Sequence, residues 1–159
     1  MTLPLADELL RLAVAAGATV TTAESCTGGM VAAAITDVAG SSSVFERGFV
    51  TYSNQAKVEM LGVSPATLEA HGAVSEEVAR EMALGALAAA QADVAVSISG
   101  IAGPGGSEFK PEGRVCFSLA TAQDVQTTTI EFGALGRANV RVAARDEALT
   151  LLVAALSKL

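Results

Sequence analysis

The sequence predicts an α/β fold, a three-layer α/β/α sandwich on a mixed β-sheet, and three observations carry that prediction. Strand-like and helix-like segments alternate along most of the 159 residues. The run Val94-Ala95-Val96-Ser97-Ile98 is short, almost wholly apolar and lacks a polar face, as in a strand covered on both sides at a sheet centre. Further on, two strand candidates separated by Gln123-Asp124 form a hairpin, which makes one pair antiparallel.

Leu5, Leu9, Leu12 and Val14 to Ala16 are spaced for an amphipathic helix, closed by Gly17. Thr19-Val20-Thr21-Thr22 is β-branched throughout and predicts a strand running into AESCTGG, after which Met30 to Ala39 predicts a helix stopped by Gly40. In FERGFVTYSNQAK, partial alternation and the aromatics Phe45, Phe49 and Tyr52 predict a strand up to Ser53-Asn54, which caps a short helix carrying Lys57. Ser64-Pro65 and Ser75-Glu76-Glu77 start two more helices. The second runs to about Gln91 and buries Val78, Met82, Ala86 and Ala89. After the central strand, GIAGPGG and the polar Ser107 to Gly113 form a long loop, and Arg114 to Thr121 with Thr127 to Phe132 make the hairpin. Arg137 to Leu159 is the last helix, with Val140, Ala144, Ala148, Leu151 and Ala155 along one stripe. With no internal repeat and no linker, residues 1–159 read as a single domain.

Composition narrows the function classes. With 51% apolar and 17% charged residues, a chain of this length buries roughly 70% of the surface it exposes when unfolded, so no covalent staple is needed. Two cysteines, Cys26 and Cys116, and one histidine make neither a disulfide framework nor a four-ligand zinc site, which fits a reducing cytoplasm. The 17 acidic residues outnumber the 10 basic ones, giving a net charge of −7 that repels nucleic-acid phosphates; Trp is absent, which argues against base stacking. No basic region precedes an apolar stretch at the N-terminus, and no window of about 18 apolar residues occurs, so neither secretion nor membrane spanning is expected.

The chemistry-bearing residues cluster after predicted strands, where ligands gather in open α/β sheets. In AESCTGG, Ser25 stands where strand turns into helix, and Gly28 and Gly29 leave amide N–H groups uncovered for an oxyanion. Ser25 or Thr27 fits a plain helix cap equally, and Cys26 is a rival nucleophile at the same helix end. A serine needs a base. His71 precedes Gly72 in a helix-ending context, Lys158 lies at the C-terminus, and Lys110 falls in the polar loop as a solvated ammonium. Lys57 differs: the start of its helix and burial beside Phe49 and Tyr52 both lower its pKa, although a solvent-facing lysine is the bland alternative. The glycine-rich stretch from Ser99 through Gly100 and Gly103 to Gly106 is neither a Walker A loop nor GxGxxG, yet its amides could hold a phosphate or floor a pocket. Arg137, Arg141 and Arg145 are spaced four apart on one helix face, where either a bound phosphate or a solvated charged face accounts for them.

Four blocks, AESCTGG, GFVTYSNQAK, HGAVSEEVA and ISGIAGPGG, in this order resemble the CinA C-terminal domain family, the nicotinamide-mononucleotide deamidases of bacteria. The resemblance implies metal- and cofactor-free hydrolysis of the carboxamide of nicotinamide mononucleotide to nicotinate mononucleotide and ammonia, a pyridine-nucleotide salvage step. It further implies a serine and lysine pair at Ser25 and Lys57, with Tyr52 and Ser99 lining the pocket. Relatives often have threonine at the Ser99 position. They tend to have Gly-Asp-Arg at the start of the last helix, where this chain has Leu135-Gly136-Arg137. On this reading Tyr52 orients the amine or relays its proton, Thr27, Gly28 and Gly29 supply oxyanion amides, and Phe49, Ser99, Gly100 and Gly103 line the substrate site. Arg137 or Arg141 meets the 5′-phosphate. Small α/β enzymes commonly pair, so a homodimer or larger assembly is expected, with no nucleic-acid or membrane partner. The competing readings are a catalytically silent nucleotide-binding module and a cysteine amidase using Cys26.

Overall fold

The computed structural model describes residues 2–159. Among these, five strands form one sheet flanked by six α-helices: α1 (Pro4–Ala16), β1 (Val20–Glu24), α2 (Met30–Thr36), β2 (Phe49–Val50), α3 (Asn54–Leu61), α4 (Pro65–His71), α5 (Glu76–Ala90), β3 (Val94–Gly100), β4 (Arg114–Thr121), β5 (Val125–Glu131) and α6 (Arg137–Leu156). The strand order is β2-β1-β3-β4-β5. β1 runs parallel to both β2 and β3, and β4 is antiparallel to β3 and β5, so the sheet is mixed as its hairpin demands. β3 lies at the centre with Val94 to Ser99 buried, the outcome its unbroken apolar run predicts.

The two faces of the sheet are packed differently. On one, Val96, Ile98 and Phe117 meet Leu9 of α1, Val31 and Ile35 of α2, and Val140, Leu149 and Leu152 of α6. Each fully buried aliphatic side chain of this kind contributes about 1.5–3 kcal/mol. On the other, the sheet presents small side chains, Ala23, Ala95 and Ala120 with Ser97 and Cys116, and these let Val78, Met82, Ala83 and Ala86 of α5 come close. α5 itself carries a small residue at its contact with α3: a Cβ at Gly85 would lie 1.9 Å from the Leu61 carbonyl oxygen. That close approach sets where α3, and with it Lys57, sits against the sheet.

Several boundaries differ from the sequence expectation. The aromatic-rich segment yields a strand of only two residues, because Ser53 already accepts the Ala56 N–H and turns the chain into α3. α2 stops at Thr36, short of Gly40, and a 3-10 turn over Ser41–Ser43 follows. Ala89 is exposed while Ala79 and Ala83 are buried, and in α6 Leu149 and Leu152 are buried where Leu151 was expected, since each stripe follows the twisted sheet rather than an ideal wheel. Among the described residues no helix is long and apolar enough to cross a membrane.

Candidate active site

β1 ends at Glu24, and the chain turns through Ser25 to Gly29 into α2. Gly28 and Gly29 have φ of +57° and +108°, conformations that strain any residue with a Cβ. Neither Ser25 nor Thr27 caps α2. The acceptor for its first turn is the buried carboxylate of Glu24, which takes the N–H of Val31 at 2.9 Å, the N–H of Ala32 at 3.0 Å and the Thr27 hydroxyl at 2.6 Å. A negative group at the positive end of a helix, with three donors, is stable there without a cation. Sequence reasoning missed this residue; its signal was an acid closing a strand rich in β-branched residues, three residues before a threonine.

With the capping duty taken by Glu24, the Ser25 hydroxyl is left for another partner. That partner is Lys57. Its ammonium nitrogen lies 3.1 Å from Ser25 Oγ, 2.9 Å from the Thr51 carbonyl oxygen and 3.3 Å from the Tyr52 carbonyl oxygen. Lys57 is 1% exposed, and burial away from water pushes its pKa below the ordinary lysine value.

Cys26 differs from its neighbour. Burial raises its thiol to about 11, which keeps it protonated near neutrality and makes it a poor nucleophile. The N–H of Gly28 is spent on the Ser25 carbonyl at 3.0 Å, a correction to its expected place among oxyanion donors. Among the described residues the N–H groups of Cys26, Thr27 and Gly29 find no backbone acceptor.

Ser25, Cys26 and Lys57 open into a pocket of about 320 Å³ whose other walls are Tyr52, Ala73 and Val74, Ser99 to Glu108, and Arg137. Ser99 donates to the Ala73 carbonyl at 2.8 Å and so fixes the wall between α4 and α5. Lys110, expected in solvent, reaches the same wall: it donates to the carbonyls of His71 at 2.8 Å and Val74 at 2.6 Å and pins the glycine-rich loop to it. Gly100 and Gly103 line the pocket, but Phe49 packs into the core beneath α5, away from the lining. His71 is outside the lining too, with Nδ1 3.7 Å from Glu77 on the surface.

The three arginines of α6 part company. Arg141 is half-buried behind the serine turn, donating through Nε to the Cys26 carbonyl at 3.0 Å and through Nη2 to that of Thr27 at 3.3 Å. Arg145 pairs with Asp146. Arg137 alone of the three faces the pocket, with Nη1 on the Gly103 carbonyl at 2.7 Å and Nη2 on the Tyr52 hydroxyl at 2.8 Å. The Tyr52 hydroxyl therefore meets Arg137, while it is the Tyr52 carbonyl that meets the amine.

A buried serine and lysine in contact at a strand end, facing a glycine-rich loop and one arginine, can be compared with known families. The model of the CinA C-terminal domain matches residues 2–156. The chain belongs to the CinA C-terminal domain family. Among relatives of this CinA domain, the nicotinamide-nucleotide amidohydrolase PncC of Escherichia coli K12 is 60% identical over 149 residues, covering 93% of this chain and 90% of the relative. A putative competence-damage inducible protein of Symbiobacterium thermophilum is 64% identical over 111 residues, which are 69% of this chain and 26% of that one. The crystal structure of the competence/damage inducible protein CihA from Agrobacterium tumefaciens superposes with a TM-score of 0.90 at 44% identity, covering 99% and 98% of the two chains. A CinA superfamily protein from Klebsiella pneumoniae superposes at 0.93 with 38% identity, covering 98% and 97%.

Proposed function

We propose that this CinA domain deamidates nicotinamide mononucleotide to nicotinate mononucleotide and ammonia through an acyl-enzyme on Ser25. The observation that carries this reading is the buried Lys57 amine 3.1 Å from Ser25 Oγ in a pocket wall. The 60% identity to a nicotinamide-nucleotide amidohydrolase over nearly the whole chain supports the substrate.

A protonated Lys57 has three N–H groups for its three oxygen neighbours. Neutral, it keeps two for the carbonyls of Thr51 and Tyr52 and turns its lone pair to the Ser25 hydroxyl. In that form Ser25 Oγ attacks the carboxamide carbon as its proton passes to Lys57 Nζ. The free turn amides, Cys26 and Thr27 foremost, meet the oxyanion. Lys57 then returns the proton to the departing nitrogen, the C–N bond breaks and ammonia leaves. Water attacks the ester, again losing a proton to Lys57; the C–O bond to Ser25 breaks and the hydroxyl regains its hydrogen. Arg137 is the cation placed for the 5′-phosphate, a local positive site on an acidic protein. Arg141 supports the serine turn from behind.

Ammonia release from nicotinamide mononucleotide by the purified protein tests the reading, with nicotinamide and its riboside as companions. Ser25→Ala and Lys57→Met are each expected to lower kcat roughly 10³-fold or more, and Cys26→Ala by less than about threefold. Binding without turnover in the unaltered protein, or loss confined to Cys26→Ala, overturns it.

A further inference from the structure

Gly136, the residue just ahead of α6, has φ of +90° and no side chain to cap the helix. A carboxylate is nevertheless present there, supplied from elsewhere in the chain. Glu112, at the far end of the glycine-rich loop, accepts the Gly136 N–H through Oε2 at 2.9 Å and the Gly105 N–H through Oε1 at 2.7 Å. A Cβ at Gly103 would lie 2.5 Å from the Glu112 carboxyl carbon, so the loop backbone passes close over this side chain, and its φ of +91° there favours glycine.

These bonds close a ring. Glu112 holds Gly105 on one side and the start of α6 on the other; from the next residue of α6, Arg137 reaches back to the Gly103 carbonyl at 2.7 Å. The base of the loop is tied down independently, with the Gly113 N–H on the Ile101 carbonyl and the Phe132 N–H on the Gly113 carbonyl, both at 2.8 Å. The loop's attachment to the hairpin therefore does not depend on Glu112. Its attachment to α6 does, since Glu112 supplies one link, to Gly136, while also holding Gly105, and Arg137 supplies the second, to Gly103.

We propose that Glu112 is a positioning residue of the substrate site: its carboxylate locks the Gly103–Gly105 wall to the start of α6 and so sets where the Arg137 guanidinium stands. The role rests on the deamidase reading for its kinetic consequence and on the structure alone for its mechanical one. Because the Glu112 carboxylate stands on the Gly136 N–H just ahead of α6, a second anion is disfavoured at that helix end and incoming phosphate is met by the Arg137 side chain. Glu112 touches neither Ser25 nor Lys57, so its removal bears on binding and not on the acyl transfer.

Two measurements test this on the full chain. In the first, Glu112→Ala raises KM for nicotinamide mononucleotide about tenfold while kcat stays within about twofold, and Glu112→Gln, which keeps one acceptor oxygen, falls between. In an Arg137→Ala background the same Glu112→Ala change has no further effect, because Glu112 acts on the substrate through the position of Arg137. Additive effects of the two substitutions, or equal losses in kcat and kcat/KM, overturn the proposal. In the second, amide hydrogen exchange at Gly105 and Gly136 speeds up in Glu112→Ala while the sheet amides of β3 keep their protection. Unchanged exchange at both glycines overturns the lock whatever the enzyme turns over. Absence of ammonia release from the unaltered protein, with the exchange difference present, defeats the deamidase reading and leaves the lock standing.

Discussion

The Arg137 guanidinium donates to the Tyr52 hydroxyl at 2.8 Å, joining the first turn of α6 to a residue two places ahead of α3 across 85 positions of sequence. One residue thereby links the two sides of the pocket: its backbone carbonyl touches the Lys57 amine and its hydroxyl steadies the arginine. Tyr52→Phe keeps the carbonyl and the ring and deletes only the hydroxyl. We expect KM for the mononucleotide to rise about 3- to 10-fold with a smaller change in kcat, and Arg137→Ala to raise KM further. Steady-state kinetics on both variants check this; a fall in kcat alone for Tyr52→Phe would instead place its hydroxyl in the proton path.

Lys57 links activity and stability through the same proton. Its pKa is lowered by burial, so kcat/KM should climb as pH rises through that lowered value, with the neutral amine as the active form. For stability the sign follows from proton counts. Between the lowered folded value and the ordinary 10.5, the unfolded chain binds a proton that the folded chain does not, so stability rises with pH across that window. Cys26 works in the opposite sense, its stabilisation present below 9.0 and lost as pH rises through about 11. The difference in unfolding free energy between the unaltered protein and Lys57→Met isolates the lysine. Denaturant titrations over this range should show that difference moving in favour of the lysine form as pH rises, and a pH-independent difference would contradict the assignment.

Glu24 is a buried acid whose hydrogen-bond partners are all donors. A glutamine there brings its own NH₂ against an N–H or hydroxyl that needs an acceptor. Glu24→Gln should cost about 2–3 kcal/mol of stability, read from urea unfolding. Activity should fall as well, because the turn that aims Ser25 depends on the same carboxylate. Unchanged stability would mean that water or another acceptor serves the first turn of α2.

Gly85 tests how far the position of Lys57 depends on helix packing. An added methyl meets the Leu61 carbonyl at 1.9 Å, so α3 must shift in Gly85→Ala. Overpacking of this kind costs about 1–3 kcal/mol. The accompanying displacement of Lys57 from Ser25 should lower kcat more than it changes KM. A thermal melt and a kinetic comparison together decide whether the helix moved or the contact relaxed elsewhere.

Local patterns carried the architecture: the apolar β3, the Ser53 and Ser75 caps, the Gly17 helix stop and the Gln123-Asp124 hairpin each depend on neighbours within a few residues, and each is present in the fold. The site was legible in part for the same reason. Ser25 and Lys57 stand out as a hydroxyl at a strand end and a cation at a helix start, and the family blocks around them supplied the pairing. What no local pattern contains is the allocation of each polar group to one partner. Arg137 and Arg141 share a helix face in sequence, yet one lines the pocket and the other is spent on the carbonyls of Cys26 and Thr27, because the turn after β1 lies against Arg141 while the glycine-rich loop lies against Arg137, one turn earlier. Glu24, Lys110 and Glu112 look like ordinary charges, and their tasks exist only once distant backbone amides and carbonyls converge on them. Composition and periodicity determine which surfaces are buried; the exclusion of water at those surfaces then decides which donor must find which acceptor, and that is settled by the packed chain as a whole.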